Sequence, residues 1–281
     1  MEFHDTEGVQ EDDVNKLGEA MPTIAGTHGE GEEKLSGAAD EVEATTKVAH
    51  GWNGGISIIG ITTYHGLTSL PFRESNPGRK IQHVEKLFGP KEYEDVVDIE
   101  RPTDENIRAV MRQGIPAGDI TWAVMERDCN ATMMRRAKDL QVNLVRITSG
   151  DLEWGMKAIL SDWRHPIFMS GRGGAPEGVI AMILARARSA TGYLREMQDS
   201  DADVEFVKKG QIWRPQEFVP GAREHSMVIF SAVTNNDTFG LLKPAPHPKN
   251  GRLHIVESMV LNSSGMEKRR TVTPIVRYNV A

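Results

Sequence analysis

The sequence predicts an α/β protein, and three observations carry the prediction. Apolar runs of strand length alternate with amphipathic helical runs from residue 103 to residue 187, the pattern of βαβ units around a parallel sheet. The stretch from Phe168 to Arg186 joins a short apolar run to a largely apolar helical run through Gly171, Gly173 and Gly174. With 39% hydrophobic and 26% charged residues in 281, the chain has the make-up of an ordinary globular protein, with room for one large core or two smaller ones.

In chain order, residues 1 to about 20 are acidic and aperiodic, with Glu11, Asp12 and Asp13 in a row, which predicts a frayed, solvated terminus. Gly26, Gly29 and Gly31 predict a turn. Asp40, Glu43, Thr45 and Thr46 follow within seven residues. Carboxylates three apart share one face of a helical turn and suit a hard divalent cation; a solvated acidic face is the alternative. Ile56 to Thr62 is apolar and β-branched and predicts a strand, and residues 66–80 predict a loop. Val96 to Ile99 is a short strand candidate, and a loose boundary near residue 100 divides the chain into domains 1–100 and 101–281.

Beyond it, Thr103 to Gln113 predicts a helix closed by Gly114. Thr121 to Met125 predicts a strand, Ala131 to Leu140 a helix, Val142 to Ile147 a strand and Asp151 to Trp163 a helix. Asp151 is a candidate helix cap. Pro166 to Met169 predicts a buried strand, the glycines a turn, and Pro176 the first position of a helix. Such a junction aims backbone N–H groups at an anion. Glu177 in that first turn conflicts with a bare phosphate, and a divalent metal between the two resolves the conflict. The alternative is that Glu177 only complements the helix dipole and the glycines only make a tight turn. No Gly-Lys-Ser/Thr follows, so the stretch is not a Walker A loop. Residues 198–225, with Asp199, Asp201, Asp203 and the loop from Trp213 to Pro220, read as a surface insertion. Ser226 to Val233 predicts a buried strand and residues 243–252 a loop. His254 to Val260 and Thr271 to Tyr278 predict a hairpin whose last strand, bearing Pro274, lies at an edge.

Several function classes are excluded at this level. The net charge of -7, with no basic stripe, argues against a nucleic-acid surface. The single Cys129 excludes an internal disulfide and fits a reducing, cytoplasmic setting. No apolar run approaches the roughly 20 residues of a membrane span, and the acidic start does not read as a targeting peptide.

GRGGAPEGV, from Gly171 to Val179, resembles the signature of the class II fructose-1,6-bisphosphatases, with Arg172 where that family carries isoleucine. Other segments are similar in the same order: Glu19 to Gly31, GAADEVEATT at Gly37 to Thr46, VEKLFGP at Val84 to Pro90, Ser149 to Asp151, and MVIFSAVTNND at Met227 to Asp237. The resemblance implies a layered α-β-α-β-α sugar-phosphatase fold of the inositol-monophosphatase-like superfamily. It implies metal-dependent hydrolysis of the 1-phosphate of fructose 1,6-bisphosphate with Mn2+ or Mg2+, and a homo-oligomer. Carried over by position, Asp40, Glu43 and Glu177 are the implied metal ligands. Glu43 and Thr45 are the implied catalytic residues, with the Ala44 backbone beside the reacting phosphate. Ser149, Gly150, Asp151 and Gly174 line the implied sugar-phosphate pocket, with His83 and Arg127 at further substrate positions.

The sequence departs from the family pattern at named places. Glu41 and Ala44 replace a proline and a glycine of the metal motif, and His83 replaces a tyrosine. Arg127 to Asn130 replaces a lysine-proline-arginine-histidine run, keeping one cation and losing another at Cys129. The family's amino-terminal segment, with its catalytic lysine and GEGE-type turn, has no counterpart before Glu19, and the GEGE at Gly29 to Glu32 falls too late in the order. Two alternatives to an active phosphatase therefore stay open: a relative that binds metal or sugar phosphate without turnover, and a reading that begins inside a longer enzyme.

Overall fold

The computed structural model describes residues 2–6, 26–27, 35–68, 83–197, 205 and 210–274. The Glu11 to Asp13 run, most of the Glu19 to Gly31 segment, the aspartates at 199, 201 and 203, most of the 66–80 stretch and Tyr278 lie outside them.

Two mixed sheets form the frame. The first contains β1 (Glu2–Thr6), β2 (Gly26–Thr27), β3 (Leu35–Glu43), β4 (Ile56–Thr63), β11 (Met227–Ala232), β12 (Ala245–His247), β13 (Asn250–Asn262) and β14 (Gly265–Pro274). Its order is β12-β13-β11-β4-β3-β1-β2, with β14 paired along β13. The second contains β5 (His83–Gly89), β6 (Thr121–Met125), β7 (Asn143–Ile147), β8 (Ile167–Gly174), β9 (Thr191–Glu196) and β10 (Ile212–Trp213), in the order β10-β9-β5-β8-β6-β7. Both sheets take strands from either side of residue 100.

Beside four short 3-10 turns, the described residues hold six α-helices: α1 (Thr45–Ala49), α2 (Thr103–Met111), α3 (Ala131–Asp139), α4 (Asp151–Leu160), α5 (Ala175–Arg188) and α6 (Pro215–Phe218). α5 lies between the sheets, against β3, β4 and β11 on one side and β5, β8 and β9 on the other, with α4 beside it. Its sequence accounts for that place. It is apolar on nearly every side, from Ala175 through Ala187, so it is stable only when covered all round. Glycines let the layers close: a Cβ at Gly60 of β4 would sit 2.8 Å from Ile183 Cδ1, and one at Gly178 would sit 2.9 Å from Leu194 Cδ2. A second core, with Ile107, Trp122, Phe168 and Tyr193, fills the far face of the second sheet under α2 and α3. The described residues thus supply four alternating layers of the expected layered α/β fold.

Most predicted elements are found, with instructive differences. The parallel expectation holds for β6 with β7 and β8, but β5 pairs antiparallel with both β8 and β9. Glu2 to Thr6 is a strand paired with β3, not a frayed end. Val96 to Ile99 is not a strand. Asn106 of α2 takes up its backbone instead, accepting from Asp98 N–H at 2.9 Å and donating to Asp98 O at 2.8 Å. Trp213 to Pro220 is no surface insertion: Trp213, Phe218 and Val219 are buried in the main core. The 243–252 stretch is the β12–β13 turn rather than a plain loop. α4 stops at Leu160, where Ser161 Oγ bonds Ala158 O and accepts from Ile167 N–H, leaving Trp163 exposed. The glycines do not form a turn: β8 runs through Gly174, and α5 begins at Ala175, which puts Pro176 one place later than expected.

Ile183, fully buried between α5 and β4, tests this packing. Ile183→Ala is expected to lower unfolding free energy by about 2–4 kcal/mol in denaturant titration. A loss under about 1 kcal/mol would mean the layers are not closed there.

Candidate metal centre

Four elements deliver charged groups to one buried place. The first is the end of β3. Against β4, Asp40 pairs with Ile58 and Glu43 with Ile56, so the strand carries an extra residue between them. Such a bulge re-aims side chains. Asp40 Oδ1 accepts the Val42 N–H at 3.0 Å within it. Asp40 and Glu43 therefore lie on a bulged strand, not on a helical turn. Ala44 then takes a left-handed conformation at φ 64°, and its carbonyl accepts from Lys47 and Val48 as α1 starts at Thr45.

The second and third are the amino-terminal ends of α4 and α5. Gly150, at φ 87°, adopts the left-handed conformation that glycine tolerates best and leads into Asp151 at the first helical position. Asp151 is not a cap: its Oδ2 accepts a hydrogen bond from Lys86 Nζ at 2.8 Å. Glu43 Oε1 accepts the Leu152 N–H at 2.9 Å, tying β3 to the start of α4. Glu177 sits in the first turn of α5 with Oε2 at 3.9 Å from Lys86 Nζ. The fourth element is β5, which holds Lys86, 2% exposed, between the two. The glycines of β8 permit the approach. A Cβ at Gly173 would collide with Asp151 Oδ2 and Lys86 Nζ, and one at Gly174 with the Glu177 carboxylate.

One ligand oxygen from each of Glu43, Asp151 and Glu177 lies within 4.8 Å of the others. Burial, then the charges of Asp151 and Glu177, push the Glu43 carboxyl up to about 8. Burial also raises Glu177, against the pull of Lys86 and with Asp151 adding repulsion. For Lys86 burial opposes the charge, but Asp151, Glu177 and Glu43 outweigh it and hold the ammonium above its usual range. Three crowded carboxyl groups face one ammonium, and without a metal the deficit of positive charge is met in part by the proton on Glu43. The buried Glu177 Oε2 has no hydrogen-bond partner among the described residues. An all-oxygen donor set that lacks a cation fits a hard divalent metal.

The other expected residues fall around this centre. Asp40 is outside the triad, and its side chain lowers Glu43 against the effect of burial. Thr45 and Ser149 are half-buried at its edge. His83 heads β5 in register with Gly174. Arg127 is exposed, and its charge helps hold Glu177 down. The resemblance put Asp151 in the sugar pocket, whereas the geometry groups it with the carboxylates. Lys86 was missed, although the alternation of VEKLFG holds the clue. It puts a lysine on the face of Val84 and Phe88, both core residues. Lys47 was missed as well; it donates to Glu153 Oε2 at 3.3 Å, beside the Gly150 turn.

Fold and site together define a layered α/β protein with a buried cluster of oxygen donors that fits a divalent cation. The chain belongs to the family described as "Bacterial fructose-1,6-bisphosphatase, glpX-encoded", which it matches over residues 14–271. It is 27% identical over 182 residues to the D-fructose 1,6-bisphosphatase class 2/sedoheptulose 1,7-bisphosphatase 2 of Acaryochloris marina, covering 64% of this chain and 48% of that protein. It is 24% identical over 180 residues to the fructose-1,6-bisphosphatase class 2 of Haemophilus influenzae, covering 63% and 51%. The chain thus spans about half the length of the curated relatives it matches.

The raised Glu43 has a measurable sign. Between pH 4.5, its ordinary value, and about 8 the folded chain holds a proton that the unfolded chain has released. Stability without metal is present below that window and is lost as pH rises through it. In chelator, Tm is expected to be higher at pH 6 than at pH 8, and Glu43→Gln is expected to flatten the slope. A wild-type Tm that rises from pH 6 to pH 8 would contradict a proton held at Glu43.

Proposed function

We propose that the chain is a metal-dependent phosphoric monoester hydrolase acting on the 1-phosphate of fructose 1,6-bisphosphate. The observation that carries the reading is the convergence of Glu43, Asp151 and Glu177 at helix and strand ends, within 4.8 Å and short of a cation. Family membership supports the phosphorylated-sugar substrate. Glu43, Asp151 and Glu177 would hold the metal, Mn2+ or Mg2+, with Asp40 beside Glu43 on the bulged strand. When bound, that ion activates water and stabilises charge on phosphoryl oxygens.

The chain's own residues do the rest. The phosphate sits at the start of α1, where the Thr45 hydroxyl and the backbone of Ala44 contact its oxygens. Lys86 adds a fixed positive charge that needs no reorganisation during reaction. Ser149 and Gly150 line the sugar side, and Arg127 and His83 are the further substrate positions. Water attacks phosphorus, the ester P–O bond breaks, and the sugar oxygen leaves with a proton. The enzyme works in the cytoplasm, as an oligomer of identical chains. No helix of the described residues is long and apolar enough to cross a membrane.

Phosphate release from fructose 1,6-bisphosphate is expected to need Mn2+ or Mg2+ and to stop in chelator. Glu177→Gln is expected to cut it at least 100-fold while circular dichroism is unchanged. Binding of metal or sugar phosphate with no turnover would instead identify a relative that binds only.

A further inference from the structure

A second polar cavity lies away from the carboxylate centre. It has a volume of about 360 Å³ and is lined by Lys91, Arg188 and Arg223 together with Ser161, Ser189 and Ser263. Glu92 is the single acidic residue in its wall, so the lining carries an excess of two positive charges in a chain of net -7. A volume of this order matches small-molecule sites.

The cavity sits at the carboxyl-terminal ends of α4 and α5, where backbone carbonyls favour a cation. Arg188 answers that need, because its Nη1 donates to Asn262 O at 3.1 Å beside the end of α5. Lys91 and Arg223 go beyond it. Arg223 Nη1 donates to Ser189 Oγ at 2.7 Å, and its buried Nε has no hydrogen-bond partner among the described residues. Lys91 is 66% exposed, and its ion pair among the described residues is a 3.9 Å contact with Glu92. Two guanidinium forks, an ammonium and the hydroxyls of Ser189 and Ser263 are a donor set for a group with several acceptor oxygens and more than one negative charge.

The position adds a second argument. β5 carries Lys86 and ends at Gly89, two residues before Lys91. α4 carries Asp151 at its start and is followed by Ser161. α5 carries Glu177 in its first turn and Arg188 in its last. α4 and α5 thus each have one end at the carboxylate centre and the other at the cavity, and β5 runs from Lys86 at its middle toward Lys91.

We propose that this cavity is a binding site for a small phosphate-bearing molecule, separate from the carboxylate centre. The proposal stands apart from the hydrolase reading, because its test needs neither metal nor turnover. Inorganic phosphate is titrated into the full chain in chelator and followed by calorimetry. Binding is expected in the wild type. Arg223→Gln and Lys91→Ala are each expected to weaken it at least five-fold, and Glu177→Gln to leave it unchanged. Lys91→Ala alters an exposed side chain, and unchanged circular dichroism at the titration temperature establishes that each variant is folded. Absence of binding at millimolar phosphate would overturn the proposal, as would affinity indifferent to Arg223→Gln and Lys91→Ala. Binding abolished by Glu177→Gln alone would assign the phosphate to the carboxylate centre and overturn it too.

Discussion

The structure depends on a buried ammonium and the carboxylates that surround it. Lys86 is almost wholly covered, and an isolated charge there would cost many kcal/mol. It is tolerated because Asp151 and Glu177 lie beside it, each fixed by the start of a central helix. Those carboxylates in turn need Lys86, and together with Glu43 they still need more positive charge. The same arithmetic that makes the centre costly as a structural element makes it suited to a cation. Neither helix can shift along its axis without pulling a carboxylate away from β5.

The neighbour of Lys86 shows how register is held. Glu85 is equally buried but points to the opposite face, where it pairs with Arg195 of β9 and lies in register with Arg172 of β8. A one-residue slip of β5 would turn Glu85 toward the carboxylates and Lys86 toward the arginines. Both placements are repulsive. Arg172, where the resembling family has isoleucine, is therefore placed where a cation has an anionic cross-strand neighbour.

Much of this was legible in the sequence. Strands with strong β-branched or apolar runs, such as β4 and β11, were placed to within a residue or two because one periodicity dominates there. The glycine stretch marked the site, but for the wrong local reason. Glycine serves a turn and a close approach equally well, and only the proximity of Asp151 and Glu177 separates them. Val96 to Ile99 has strand composition, yet its partner is the Asn106 side chain, which no pattern reveals. Lys86 went unnoticed because a lysine within a strand usually lies on the solvent side. Asp151 was read as a cap because its local signal is a cap's, and its actual partner lies 65 residues earlier.

The first sheet has a consequence for how the chain is made. β4 ends at Thr63, and its neighbour β11 begins at Met227. On a ribosome adding about 5–20 residues per second, β4 waits on the order of ten seconds or more for that partner. During that wait Ile56, Ile58 and Ile61 of β4 lack the strand that later borders them. Such long-range pairing slows folding and leaves an apolar edge open to misassembly. The second sheet draws all its strands from residues 83–213 and is complete first. Nascent chains stalled before residue 227 are therefore the form most in need of a chaperone.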